Sequence, residues 1–376
     1  MFGPCFTSGG AGLTPCRDLF AGLVPQTSEY TKRITRDGTG GATAKQQFIF
    51  SDNPQGSLSL YIPAKIGRVG SGLLTRFSDG PVWTAADTPT FAGQGGWVSK
   101  NFGESWTQIP SLTLSYTRTP IWQGGTSWFL YNGATNADTA WTNDNWTTFT
   151  IGSSGIGTVS SSAMTVDVKT GNICLAWQSV ANARVSKNGG RTFDNADLPS
   201  SLVWHNCSYL DGTLVLGPSA GTDVALSDSH GKVWTIGKRP SATDQYLYSP
   251  SVVNGVWWWP CYTAGIGALF SKDRGKTWVQ LRTPITNMYP NMRWIQILAY
   301  KGGALALLEN TTTTLPGMVL WSADGFSDWT PLKLPSVFPG VFYSGTAYHP
   351  GRGLYIQGHS GTTGITVFTP FLLRGL

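Results

Sequence analysis

The chain has 376 residues, of which only 12% are charged, with 47 Gly, 17 Trp and a formal net charge of +6. Few charges, many aromatics and frequent Gly exclude a fold of long helices. They suit closely spaced strands joined by tight turns, and Glu, a good helix former, stands only at Glu29, Glu104 and Glu309. The charge is spread out with no basic run, which reads as ordinary surface charge and excludes the footprint of sequence-specific nucleic-acid binding.

From the N-terminus, Met1-Phe2-Gly3-Pro4-Cys5 carries no basic segment followed by an apolar run, so no signal peptide is expected. No stretch approaches the roughly 18 apolar residues of a membrane helix, so no membrane insertion is expected either. Cys5, Cys16, Cys174, Cys207 and Cys261 are odd in number and scattered, unlike a disulfide framework. They predict free, mostly buried thiols in a protein made in a cytoplasm, with a Cys5–Cys16 pair as the alternative. Residues 1–45 hold Gly9-Gly10, Gly38 and Gly40-Gly41 with little alternation, and read as an extended arm. Such an arm has no core of its own and must lie on its own domain or on a neighbouring subunit.

From about Gln46 two independent repeat series begin. The first is a turn frame whose consensus copy is Ser271-x-Asp273-x-Gly275-x-Thr277-Trp278. The other copies start at Ser99, Thr142, Ser186, Ser227 and Ser322, so that successive starts lie 43, 44, 41, 44 and 51 residues apart. Each copy places an aromatic residue seven positions after its Ser or Thr: Trp106, Phe149, Phe193, Trp234, Trp278 and Trp329. The last copy reads Ser322-x-Asp324-x-Phe326-x-Asp328-Trp329 in this alignment.

The second series consists of hairpin turns at Asp79-Gly80, Gly124-Gly125, Thr170-Gly171, Asp211-Gly212, Asn254-Gly255, Gly302-Gly303 and Arg352-Gly353. Such pairs are what two-residue hairpins require, because the turn needs positive φ. Each repeat is then a hairpin of strands A and B, a strand C, the box turn and a strand D, which is the plan of a propeller blade. The chain ends on a strand-C candidate, Gly364–Phe368, while Ser57–Ile62 is an alternating strand without a hairpin of its own. The expected fold is all-β: a seven-bladed β-propeller over residues 46–376, closed by this N-terminal strand acting as strand D of the last blade. Closure removes a free sheet edge. A degenerate box is expected at Ser51–Gly56.

The repeated frame resembles the Asp-box (BNR) repeat of sialidases and other propellers, over about Ser51–Leu376. The resemblance implies that Asp144, Asp273, Asp324, Asn101 and Asn188 bond the backbone of their own turns rather than act in catalysis. It also implies that Trp278 and its equivalents pack between blades.

A sialidase-type site needs three arginines, a Tyr/Glu pair and an Asp acid/base. The family's Arg-Ile-Pro is absent: Tyr61-Ile62-Pro63 lacks the Arg, and Arg118-Thr119-Pro120 lies one blade late. Arg76, Arg118, Arg239 and Arg293 are available as cations, and Tyr343, Tyr348 or Tyr355 as a phenol. The acid is the difficulty, since Glu29 is in the arm and Glu104 in a box, leaving Glu309. His205, His230, His349 and His359 lie in no metal-ligand spacing, and Trp257-Trp258-Trp259 reads as blade core rather than a sugar platform. No catalytic, cofactor-binding or metal-binding residue is assigned.

Three functions are weighed. The first is a non-enzymatic structural protein of a virus particle, resembling in style the propellers of bacteriophage tails, made in the host cytoplasm and assembling with other tail subunits as a homo-oligomer. The second is a propeller that binds a host-surface glycan or receptor in aromatic-lined pockets between blades. The third is a sialidase-type hydrolase.

Overall fold

The computed structural model describes residues 4–5, 14–15, 47–50, 58–63, 73–77, 81–87, 96–101, 107–109, 121–131, 138–153, 161–177, 182–218, 221–240, 250–261, 263–281, 290–300, 302–310, 318–332, 341–349, 353–359 and 364–368. Among them there is no helix, and so none long and apolar enough to cross a membrane. Six four-stranded antiparallel sheets follow one another along the chain: blade 1 (73–108), blade 2 (121–153), blade 3 (161–195), blade 4 (204–238), blade 5 (251–280) and blade 6 (292–332). A seventh sheet joins the two ends of the chain. Its strands A to C are Val341–His349, Gly353–His359 and Gly364–Phe368, and its strand D is Leu58–Pro63. Inner strand Val341–His349 lies beside the inner strands of both blade 6 and blade 1, so the ring is closed.

The closing strand pairs Ile62 with Ile365 and Leu60 with Val367. On its outer side it also pairs with Gln47–Phe50, Gln47 facing Tyr61 and Phe50 facing Leu58. The sequence reading gave this strand no hairpin. The structure corrects that: Gln47-Phe48-Ile49-Phe50 is short, but its aromatic and β-branched content suits a strand, and it adds a fifth strand to blade 7. The expected degenerate box at 51–56 lies outside the described residues, as does the arm apart from a small ladder pairing Pro4–Cys5 with Thr14–Pro15. Cys16 also lies outside them.

The blades pack face to face, so their middle strands are covered on both sides. Such strands need continuous apolar runs rather than alternation. Thr213–Pro218 is buried throughout, as are Ala304–Leu308, whereas strand D of blade 4, Thr235–Lys238, is largely exposed. Trp257, Trp258 and Trp259 show the arrangement most clearly. All three are buried, with Trp257 and Trp259 in the core shared with blade 4 and Trp258 in the core shared with blade 6.

Five apolar cores of this kind fill the five junctions from blade 1/2 to blade 5/6. Each takes in the aromatic that closes a box turn: Phe149, Phe193, Trp234, Trp278 and Trp329 in order. Trp278 is 4% exposed and its ring centroid lies 5.1 Å from that of Trp259. The box aromatic is therefore the wedge that joins its blade to the preceding one.

Two of the seven hairpin turns stand where expected and the others change. Gly124 pairs with Ser127, so Gly125-Thr126 forms the turn in blade 2. His349 pairs with Gly353 and Phe77 with Trp83, registers that do not fit two-residue turns at Arg352-Gly353 and Asp79-Gly80. Asp211-Gly212 and Asn254-Gly255 are two-residue turns with positive φ at both positions, as expected. Thr170-Gly171 is not: Asp167 pairs with Asn172, so the loop has four residues. Threonine resists positive φ, and the Asp167 carboxylate closes the longer loop by accepting from the Lys169 amide at 3.1 Å and the Thr170 hydroxyl at 2.7 Å. In blade 6, Tyr300 pairs with Gly303, so Gly303 begins strand B rather than closing the turn.

Candidate functional site

Strand order divides the ring into two faces. One carries the A–B hairpins and the box turns, which are short. The other carries the D–A and B–C connections, including the long segments 109–120, 239–250 and 281–291. The described clefts lie on the box face, so the box turn has to be built first.

In the consensus box the Ser271 hydroxyl donates to Asp273 Oδ1 at 2.8 Å and accepts from the Gly275 amide at 2.8 Å. Asp273 accepts from the Thr277 amide at 2.9 Å and from its hydroxyl at 2.6 Å. Asp144 repeats this with Thr148 and Thr142, and Asn188 accepts from the amides of Arg191 and Thr192. The leading Ser or Thr is the buried member: Ser99, Ser186, Ser227, Ser271 and Ser322 are at most 1% exposed and Thr142 is 2% exposed.

These bonds stabilise the charged carboxylates. Hydrogen bonds from the Thr142 hydroxyl and then from Thr148 bring Asp144 down to about 2. The Ser327 amide and hydroxyl hold Asp324 well below the usual carboxylate range. Partial burial raises Asp273, but the bonds from Thr277 and Ser271 outweigh it and the net shift is downward. A carboxylate so held is a turn-former and not a proton donor at neutral pH.

The sixth box departs from the alignment made by sequence. Its Gly stands one position early: the Gly325 amide donates to Ser322 Oγ at 3.0 Å, and Ser327 takes the place of threonine by bonding Asp324 at 2.9 and 2.7 Å. Asp328, aligned there with the threonine, instead adopts φ 46°. The second box places Trp146 where four of the others have Gly, at φ 65°.

The residues weighed for a sialidase site are not assembled among the described residues. Arg293 and Glu309 face each other on strands A and B of blade 6, joined by a 2.6 Å ion pair, mostly buried. Arg239, 3% exposed, donates Nε and Nη2 to the Gly221 carbonyl at 2.9 and 2.6 Å and so ties the B–C loop of blade 4 to its D strand. The side chains of Arg76, Tyr343, Tyr348 and Tyr355 lie outside the described set, as do Arg118, Glu29 and Glu104 altogether.

Of the histidines, His230 sits in the fourth box at φ 52°, with the Asn172 side-chain amide of blade 3 at 3.0 Å from Nε2. His349 and His359 are on paired strands, their side chains, like that of His205, outside the described set. No group of three or more His, Cys, Asp or Glu among the described residues is placed to hold a metal. Cys174, Cys207 and Cys261 are buried thiols, none of them in a disulfide. The Cys207 hydrogen bond and then burial push the Cys174 thiol up, and Cys207 Sγ lies 3.6 Å from the Cys174 carbonyl.

Two clefts open between successive boxes. The cleft between blades 2 and 3, about 460 Å³, is lined by Trp141, Asn143, Asp144, Thr148, Phe149 and Arg191 among others. That between blades 4 and 5, about 600 Å³, is lined by Leu226, Asp228, Val233, Asp273, Arg274 and Lys276 among others. They are the same groove twice. The residue before the leading Ser or Thr is Trp141 in one and Leu226 in the other, and the sixth position of the following box supplies Arg191 or Lys276. The sequence reading weighed aromatic-lined pockets between blades but named no residue for them. The available signal was a basic residue at the sixth box position in three successive copies, Arg191, Lys232 and Lys276.

No known sequence family and no curated protein matches the chain. Solved structures do. YCF48 bound to a D1 peptide is 14% identical with a TM-score of 0.60, over 88% of this chain and 99% of that one. YCF48 from Cyanidioschyzon merolae is 13% identical at 0.58, over 82% and 98%. A streptogramin B lyase is 12% identical at 0.60, over 83% and 98%. Propellers similar to this chain thus include an enzyme as well as a peptide-bound protein, and at these identities what the chain shares with them is the all-β propeller fold.

Proposed function

We propose that the protein is a non-enzymatic structural component of a virus particle, of the bacteriophage tail type, which assembles as a homo-oligomer and with other tail subunits. The observation that supports this reading most is the position of Gln47–Phe50. This strand is the outermost of blade 7, and its antiparallel pairing puts Gln47 at the end where Leu58–Pro63 leaves for blade 1. The chain therefore enters the ring at its outer rim, on the face of the D–A and B–C connections. The polar chemistry of the ring is consistent with a scaffold. The carboxylates of Asp144, Asp273 and Asp324 are engaged by their own turns, and Glu309 by Arg293. A propeller of similar fold also holds a protein segment in YCF48 bound to a D1 peptide.

The test is the mass in solution of the full chain and of a chain beginning at Gln46, by size-exclusion chromatography with light scattering. The full chain is expected to form a closed oligomer and the shortened one a folded monomer. A full chain that stays monomeric at tens of micromolar sinks the assembly reading.

A further inference from the structure

We infer that the cleft between blades 2 and 3 on the box face binds a neutral oligosaccharide. The inference rests on this cleft alone and stands whether or not the protein assembles as proposed above.

Two aromatic residues, Trp141 and Phe149, line the cleft. Trp141 packs against the core shared by blades 2 and 3. On the adjoining strand, Gly152 comes so close that a Cβ there would lie 2.6 Å from Cη2 and 2.8 Å from Cζ3 of the indole. The indole edge thus lies over Gly152 while the ring packs on the core, and Trp141 and Phe149 both stay partly exposed in the cleft. A rigid aromatic surface loses little entropy when a ligand settles on it. A pyranose ring presents an apolar C–H face suited to such a surface and a rim of hydroxyls that need polar partners.

The cleft supplies that rim. Asn143, Thr148, Thr150 and Arg191 line it, and all four are exposed or partly so. Asp144, the cleft's acid, accepts from the Thr142 hydroxyl and from the Thr148 amide and hydroxyl, bonds that stabilise its charged form. Its negative charge and the Arg191 guanidinium leave the lining without net charge, which favours a neutral sugar over an anionic one.

The cleft between blades 4 and 5 serves as an internal control. It has the same frame, but Leu226 stands for Trp141 and Val233 for Thr148, while Arg274 and Lys276 are balanced by Asp228 and Asp273. It differs in lacking the aromatic residue at the Trp141 position.

The experiment is a glycan array of neutral and sialylated oligosaccharides probed with the full chain, followed by saturation-transfer NMR with millimolar lactose, maltose and cellobiose. Wild type is compared with Trp141→Leu, which copies the other cleft, and with Arg191→Ala on the exposed rim; thermal melts verify that both variants fold. Neutral glycans are expected to bind wild type, with a loss of about tenfold or more in Trp141→Leu and a smaller loss in Arg191→Ala. No neutral binder, binding of sialylated glycans only, or affinities unchanged within about twofold in both folded variants would each overturn the inference.

Discussion

Lys238 and Trp278 exchange hydrogen bonding across a blade boundary. The Trp278 amide of blade 5 donates to the Lys238 carbonyl of blade 4 at 2.9 Å, and the Lys238 amide donates back to the Lys276 carbonyl at 2.9 Å. A parallel bridge between Lys238 and Thr277 accompanies them. The outer strand of one blade is thus stitched to the box turn of the next by backbone alone. That close approach needs Gly237, where a Cβ would lie 2.1 Å from the Gly275 carbonyl oxygen. Gly237→Ala is expected to destabilise the protein by about 1–3 kcal/mol in chemical denaturation, because backbone has to move. Ile236→Ala, one residue away on an exposed position, is expected to change it by less than about 1 kcal/mol. Equal effects would show that the stitch carries no stability.

The wedge aromatics allow a comparison. Trp278→Ala empties a buried site between blades 4 and 5 and is expected to cost about 3–5 kcal/mol. Trp146 is also buried, 3% exposed, but holds φ 65°, a region that costs a bulky residue roughly 1–3 kcal/mol. Trp146→Gly relieves that strain while losing the packing, so its net cost is expected to be smaller than that of Trp278→Ala. A larger loss at Trp146 would mean its backbone is not strained.

Acid stability follows from the box carboxylates. Their pKa values are depressed on folding, so the stability they contribute is fully present above the unfolded value and is lost as pH falls through the folded one. For Asp144 that window runs from about pH 4 down to about 2. Replacing Asp144, Asp273 and Asp324 together by Asn, the residue nature uses at Asn188, is expected to flatten the stability–pH slope below pH 4 in urea titrations. An unchanged slope would show that acid sensitivity arises elsewhere.

Glu309 tests the proposed absence of hydrolysis. Neither wild type nor Glu309→Gln is expected to cleave a fluorogenic sialoside, while the variant is expected to lose about 1–3 kcal/mol because Arg293 keeps a weaker partner. Turnover by wild type that disappears in the variant would assign Glu309 a catalytic role.

Most of the fold was legible because each blade repeats two local signals, a box turn and a hairpin, and local signals survive in a single sequence. Even the ring closure could be read, since Gly364–Phe368 lacked a partner at one end and Leu58–Pro63 at the other. Four residues at Gln47–Phe50 were too few to show a period. The sixth box slipped by one because Ser327 does the work of a threonine, a substitution visible only in its bonds to Asp324. The clefts were hidden for a different reason. Trp141 and Arg191 belong to separate repeats, and only the stacking of blades brings them to one groove.

The seventh blade also sets a timetable for biosynthesis. Residues 58–63 emerge from the ribosome first, yet their partner, Gly364–Phe368, is made some 300 residues later. At about 5–20 residues per second the early strand waits roughly 15–60 s with an unpaired edge. Blades 1 to 6 are local in sequence and can form during that delay, each on the one before it. Completion of the ring is then a single late event, the docking of the newest strand onto one of the oldest. A chain truncated before Gly364 would leave Leu58–Pro63 without its partner and that strand's edge open to other chains.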